Sequence, residues 1–248
     1  MKGSWLIAAL MAAATPAWAD TIRLEADPWC PYTCDSPAKP GYMIEVAAAA
    51  LAKAGHSVTY TTVPWSRALS DVGEGRAEGA VGASPSEANQ LLFPAEPLGR
   101  SQNVFVLRAN DGWAWSGPAS LAGKRIGTVR DYSYGQELDA ALKGLKTGIE
   151  PVGGNSPLES NLRKLAAGRI DMTIDDVAVV DYNLRQFKMG DAFRKVAAGQ
   201  PESLYIAFSP AHPKAADYAR QLSEGVAAMR ADGSLAKILA DYSVTDWK

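Results

Sequence analysis

With 248 residues, 47% of them hydrophobic, the chain is long enough for one large domain or two small ones around a real core. Its formal charge of −2 and the absence of a basic cluster argue against nucleic acid and anionic membrane surfaces as partners. Two histidines and two cysteines offer no metal-ligand spacing, so neither a metal nor a cofactor is expected.

Met1-Lys2-Gly3-Ser4, the apolar run Trp5 to Ala14, and Ala17-Trp18-Ala19 before Asp20 have the layout of a secretory signal peptide over residues 1–19. No later stretch approaches the roughly 20 apolar residues a membrane helix needs, so an exported, soluble, periplasmic chain is expected. Thr21 to Ala26 alternates as a strand. Cys30 and Cys34 follow at once, and in an oxidising compartment a disulfide is their expected state. Such a bridge would fix the turn that carries Trp29 and Tyr32.

A helix is expected over Gly41 to Ala54, a strand over Ser57 to Val63, a helix over Trp65 to Val72 and a strand over Gly79 to Ala83. Ser84-Pro85-Ser86-Glu87 reads as a capping box that opens a further helix, with Ser84 as the cap. Asn103 to Leu107 is a strand. After a Trp-bearing loop the pattern restarts. It gives a strand over Lys124 to Val129, a helix over Ser133 to Lys143 and a strand over Thr147 to Val152. Ser156-Pro157-Leu158-Glu159 repeats the capping box, and its helix runs to Ala167. A strand at Met172 to Ile174 and a helix over Asp175 to Phe187 follow. The chain closes with a strand at Leu204 to Phe208, a long helix from Pro213 and a last helix over Ser234 to Tyr242. Strands alternating with helices predict an α/β protein with mostly parallel sheets.

Two stretches echo each other: residues 69–81 and residues 162–174. Each reads as a helix end, a Gly stop, a basic residue, an acidic residue and a short apolar strand. The echo predicts two lobes of similar build, with a ligand in the groove between them.

Ligands in open α/β sheets bind beyond the carboxyl ends of strands. Four strand ends supply candidates. After Ala26 stand Asp27, Trp29 and Tyr32, with Trp65 nearby at a helix start; rigid aromatics beside a cleft suit flat or cationic ligands. Ser84 could hold an anion at a helix N-terminus. Arg100 could pair with a ligand carboxylate. Tyr132 and Ser133, with Tyr134, form a polar aromatic entry to a helix. Asp176, ahead of Asp175, could receive an ammonium group. No Gly-x-Ser-x-Gly elbow, phosphate loop or Ser/His triad appears, so no catalytic residue is assigned.

The chain resembles the family 3 extracellular solute-binding proteins, best known from polar amino-acid ABC transporters. The residues that carry the likeness are Pro31-Tyr32, Gly41 to Val46, Val63 to Leu69, Gly75 to Ala80, Leu121 to Gly127, Gly168 to Asp171 and Asp232 to Leu239. The resemblance implies a two-lobed, type II periplasmic-binding-protein fold. Two strands near Asn103–Arg108 and Ser203–Ser209 would cross between lobes made of residues 20–107 plus 205–248 and residues 108–204. It implies a monomer that captures an amino-acid-like small molecule for a membrane permease of an ABC transporter. Tyr32, Trp65, Ser133 and Asp176 fall on its cleft-lining positions. The chain departs from the family in three places. Ala88-Asn89 stand where a carboxylate-binding Arg is usual, Asp131 stands where Gly is usual, and Leu98 replaces an aromatic. The alternatives are an enzyme resembling cyclohexadienyl dehydratases on the same fold, and a sensor or accessory protein of a periplasmic dehydrogenase with its quinone cofactor.

Overall fold

The computed structural model describes residues 19–154 and 156–248. The expected signal peptide, apart from Ala19, lies outside the described residues. The chain runs β1 (Thr21–Ala26), α1 (Tyr42–Ala52), β2 (Ser57–Thr62), α2 (Trp65–Gly73), β3 (Gly79–Ala83), β4 (Gly99–Ser101) and β5 (Asn103–Arg108). It continues through β6 (Ile126–Val129), α3 (Gln136–Gly144), β7 (Ile149–Val152), α4 (Pro157–Ala166), β8 (Met172–Asp176) and α5 (Val177–Gln186). It ends with β9 (Phe193–Ala197), β10 (Glu202–Phe208), α6 (Ala215–Asp232) and α7 (Ser234–Asp241).

Two five-stranded sheets form, ordered β2-β1-β3-β10-β4 and β7-β6-β8-β5-β9. Each combines two parallel with two antiparallel ladders, so the sheets are mixed rather than mostly parallel. The echoed segments deliver the central strand of each sheet, β3 and β8. Their stop glycines, Gly75 and Gly168, take φ of 77° and 69°, a conformation in which a side chain is strained. Their acidic residues do matching work. Glu78 accepts from Arg23 N (2.7 Å) and Nη2 (2.8 Å), and Asp171 accepts from Arg125 N (2.8 Å) and Nη2 (2.8 Å). In both lobes a carboxylate beside the central strand thus hooks the neighbouring strand.

The apolar faces of α1 and α6 close over the first sheet. Met43, Ala47, Ala50, Leu51, Leu222, Val226 and Met229 are fully buried there. Phe105, Leu107, Leu121, Ile126, Met172 and Ile174 form the core of the second sheet.

The chain changes sheets at Gln102, ahead of the expected break after residue 107, because β4 pairs with β10 while β5 pairs with β8 and β9. It returns between β9 and β10. Gln102 Nε2 donates to the carbonyls of Ala198 (3.1 Å) and Gly199 (3.3 Å), tying the two crossings together.

Candidate functional site

The ends of β1 and β3 and the start of α2 face the ends of β6 and β8 across the groove between the sheets. The Cys30–Cys34 disulfide closes the turn after β1. Within that turn Trp29 N donates to Thr33 O (2.7 Å), Trp29 stacks on Tyr32 with ring centroids 4.5 Å apart, and Tyr32 rests against Tyr42 of α1. The indole of Trp29 is thereby held out toward the other lobe. Its Nε1 donates to Asp175 Oδ1 at 3.1 Å. The Tyr132 hydroxyl donates to Asp27 Oδ2 across the same gap. The lobes are therefore closed on each other.

Between them lie two small cavities of about 50 and 60 Å³ that share Trp29, Gly82, Glu87, Tyr132 and Ser133. Asp27 and Trp65 border the first; Ser84, Tyr134, Asp175 and Glu202 border the second. An outer chamber of about 440 Å³ continues from Asp27, Trp65 and Tyr132 toward Pro64, Arg130 and Gly154. Trp65 is fixed by its Nε1, which donates to Glu87 Oε1 at 2.7 Å.

Burial dominates the electrostatics. It pushes the Asp175 carboxyl up to about 7, against the opposing pull of the Trp29 and Asp176 N–H groups. It pushes Asp27 up to about 6, opposed by the Tyr132 hydroxyl. Glu87 is also raised by burial, opposed by Trp65, with the charges of Asp139, Asp27 and Glu202 adding to the rise.

Asp27, Trp29, Trp65, Ser84, Tyr132 and Ser133 all reach the cleft. Four expectations need correction. Ser84 does not cap a helix: residues 85–87 form a turn, the Ser84 hydroxyl bonds Ser86 Oγ (2.8 Å), and Glu87 is taken by Trp65. No helix terminus is there to hold an anion. Arg100 is turned away by the in-out alternation of β4 and lines a separate cavity of about 480 Å³ with Tyr42, Arg185, Trp247 and Lys248. Tyr32 borders that same cavity from behind Trp29.

Asp176 is engaged by the protein. Its Oδ1 accepts from Tyr32 OH (3.0 Å), Ala178 N (2.8 Å) and Val179 N (3.2 Å). Its Oδ2 accepts from Ser101 Oγ (3.0 Å) and Gln102 N (2.8 Å). It caps α5 and pins the first crossing, leaving no lone pair for an ammonium group. Asp175, one residue earlier on the opposite face of β8, is the carboxyl that lines the cleft. Asp175 and Glu87 were the strongest residues absent from the expected site. The alternation of β8 was the available signal for Asp175; nothing local marks Glu87.

The fold is shared widely. A histidine kinase sensor domain with similarity to periplasmic binding proteins is 22% identical, covers 90% of this chain and 95% of its own, and has a TM-score of 0.75. An ABC uptake transporter substrate-binding protein from Streptococcus pneumoniae with bound histidine is 16% identical, covers 90% and 92%, and has a TM-score of 0.74. An ancestral amino-acid-binding protein described as a precursor of cyclohexadienyl dehydratase is 15% identical, covers 90% and 95%, and has a TM-score of 0.69. At these identities the likeness establishes the fold and no more. No curated protein matches the chain. The sequence profile of the bacterial extracellular solute-binding proteins, family 3, matches residues 24–245. With that match over nearly all of the two-lobed chain, the protein belongs to the bacterial extracellular solute-binding proteins, family 3.

Proposed function

We propose that the protein captures one small polar or aromatic metabolite in the interlobe cleft, in the periplasm, and hands it as a monomer to the membrane permease of an ABC transporter. The observation that carries this reading is the cleft itself. Trp29 and Asp27 on one lobe meet Asp175 and Tyr132 on the other, so occupancy and lobe closure are mechanically coupled. Rigid aromatics supply stacking surface, and carboxyls at the strand ends supply orientation. Capture needs no bond-breaking step. A ligand that bridges the two walls stabilises the closed form, and a permease can read that form.

Mass spectrometry of what co-purifies, followed by thermal-shift screening of small metabolites, tests this reading. A ligand that binds only the folded chain raises the melting temperature. Absence of any bound compound, and of any shift across the screen, would overturn it.

A second reading is an enzyme on the same scaffold, of the cyclohexadienyl-dehydratase kind. The Asp175 carboxyl, raised to about 7, has the protonation range of a general acid. Against it, no Lys, Arg or His lines the two inner cavities among the described residues, so a substrate carboxylate finds no partner beside that acid. Steady turnover of prephenate or arogenate would favour this second reading over the first.

A further inference from the structure

The inner cleft combines three features. Its charged side chains are all acidic: Asp27, Glu87, Asp175 and Glu202 line the two inner cavities, and no cationic side chain does among the described residues. Its walls are aromatic, with Trp29, Trp65 and Tyr132 around the same space. Its deepest carboxyl is incompletely satisfied. Asp175 is 3% exposed, and its Oδ1 accepts from Trp29 Nε1 and Asp176 N, while Oδ2 receives no donor among the described residues. That oxygen is left to the cavity, where a cationic group would meet a carboxylate acceptor that no described protein donor engages. Aromatic faces attract cations as well.

A ligand carboxylate would meet the opposite situation. It would have to leave water for a site with several carboxyls and no guanidinium or ammonium group. Among the described residues the one cationic side chain lining the outer chamber is Arg130, which is exposed. The fixed pairing of a carboxylate with a planar guanidinium therefore has no counterpart inside.

We propose that the inner cleft selects small organic cations that carry no carboxylate, an ammonium or guanidinium group on a compact aromatic or alkyl body. This rests on the solute-binding reading above. The cationic group sits against Asp175 and Glu87, and the body stacks on Trp29 and Trp65 or extends into the outer chamber. Lobe closure brings Asp175 up from one side and Glu87 from the other, so the ligand's charge is compensated in the closed form.

Calorimetry with matched pairs tests this: tyramine against tyrosine, histamine against histidine, agmatine against arginine. The members of each pair differ by one carboxylate. At least one amine is expected to bind about tenfold or more tighter than its amino acid, the size of one charge-assisted hydrogen bond lost or a buried charge left unpaired. Asp175→Asn keeps the side-chain shape and an acceptor for Trp29, and is expected to weaken that amine by about tenfold or more. Glu87→Gln serves as the second variant, each checked for a cooperative thermal transition. An amino acid that binds as tightly as its amine, or a neutral or anionic compound found in the cleft, would overturn the cation class while leaving solute binding intact. If no pair binds and native mass spectrometry finds no small molecule on the purified chain, both readings fall together.

Discussion

The indole nitrogen of Trp29 donates to Asp175 Oδ1 at 3.1 Å, joining the turn after β1 in one lobe to the end of β8 in the other. One contact thus records both closure of the lobes and the place where a ligand would have to insert.

The buried carboxyls make the ligand-free protein pH-sensitive. Burial raises Asp175 to about 7 and Asp27 to about 6, from an ordinary value of 3.8. A raised carboxyl binds its proton more tightly in the folded state. Its contribution is complete below the unfolded value and is lost as pH rises through the folded one. The melting temperature should therefore fall between about pH 4 and about pH 7, and Asp175→Asn should flatten that fall. Asp171, held low chiefly by its bond from Arg125, titrates below this window. A flat profile in the unaltered protein would contradict the assignment.

Buried carboxyls also couple cation binding to protons. Asp175 lies in the field of Asp176 and Asp27, Glu87 in that of Asp139, Asp27 and Glu202, and only the ionised forms of Asp175 and Glu87 compensate the ligand's cation. Amine affinity should rise between about pH 5 and about pH 8, with protons released on binding. Titration in buffers of different ionisation enthalpy measures that release. A pH-independent affinity would speak against these two carboxyls as the receptors.

Closure should depend on the Tyr132 hydroxyl, which donates to Asp27. Tyr132→Phe removes that donor alone. The expected result is a larger radius of gyration in small-angle scattering of the ligand-free chain. The cost in stability should be about 0.5–1.5 kcal/mol, as for a typical hydrogen bond. An unchanged radius would show that other contacts hold the lobes.

Asp131 takes φ of 63° immediately before Tyr132, in the left-handed region. Asp tolerates this region better than most residues, and a β-branched side chain tolerates it worst. Asp131→Gly should leave stability within about 1 kcal/mol of the parent, while Asp131→Val should lower it by about 1–2 kcal/mol. Denaturant unfolding reads both.

Helices α1 and α6 meet at Gly225, where an added Cβ would lie 2.5 Å from Ala50 O. Backbone cannot yield as a flexible side chain does. Gly225→Ala should cost about 1–3 kcal/mol by forced separation of the two helices. Chemical denaturation would show the loss, and no loss would mean the helices are free to slide.

Much of the scaffold was legible because its signals are local. The stops at Gly75 and Gly168 and the acids Glu78 and Asp171 stand a few residues from the strands they organise, so the echo marked both central strands. Strands β4 and β9 were missed: β4 is three residues with a Gly, and β9 is an edge strand whose alternation brings Arg194 and Lys195 into it. The site was legible in outline and misread in detail. Ser84 and Glu87 have the spacing of a cap, yet a distant indole, Trp65 Nε1, takes the glutamate. Asp175 and Asp176 look interchangeable in sequence. Only the pleat of β8 sends the first to the cleft and the second to Tyr32, Ser101 and Gln102. Arg100 went astray for the same reason, since the alternation of β4 points it to the far side.

The most direct test of cleft binding is native mass spectrometry of the purified protein beside two variants, using the compound with the largest thermal shift. One small molecule per chain should be present in the parent, retained in Arg100→Ala and lost or strongly weakened in Asp175→Asn. A bound molecule that survives Asp175→Asn and disappears in Arg100→Ala would place the ligand in the other cavity and contradict the account.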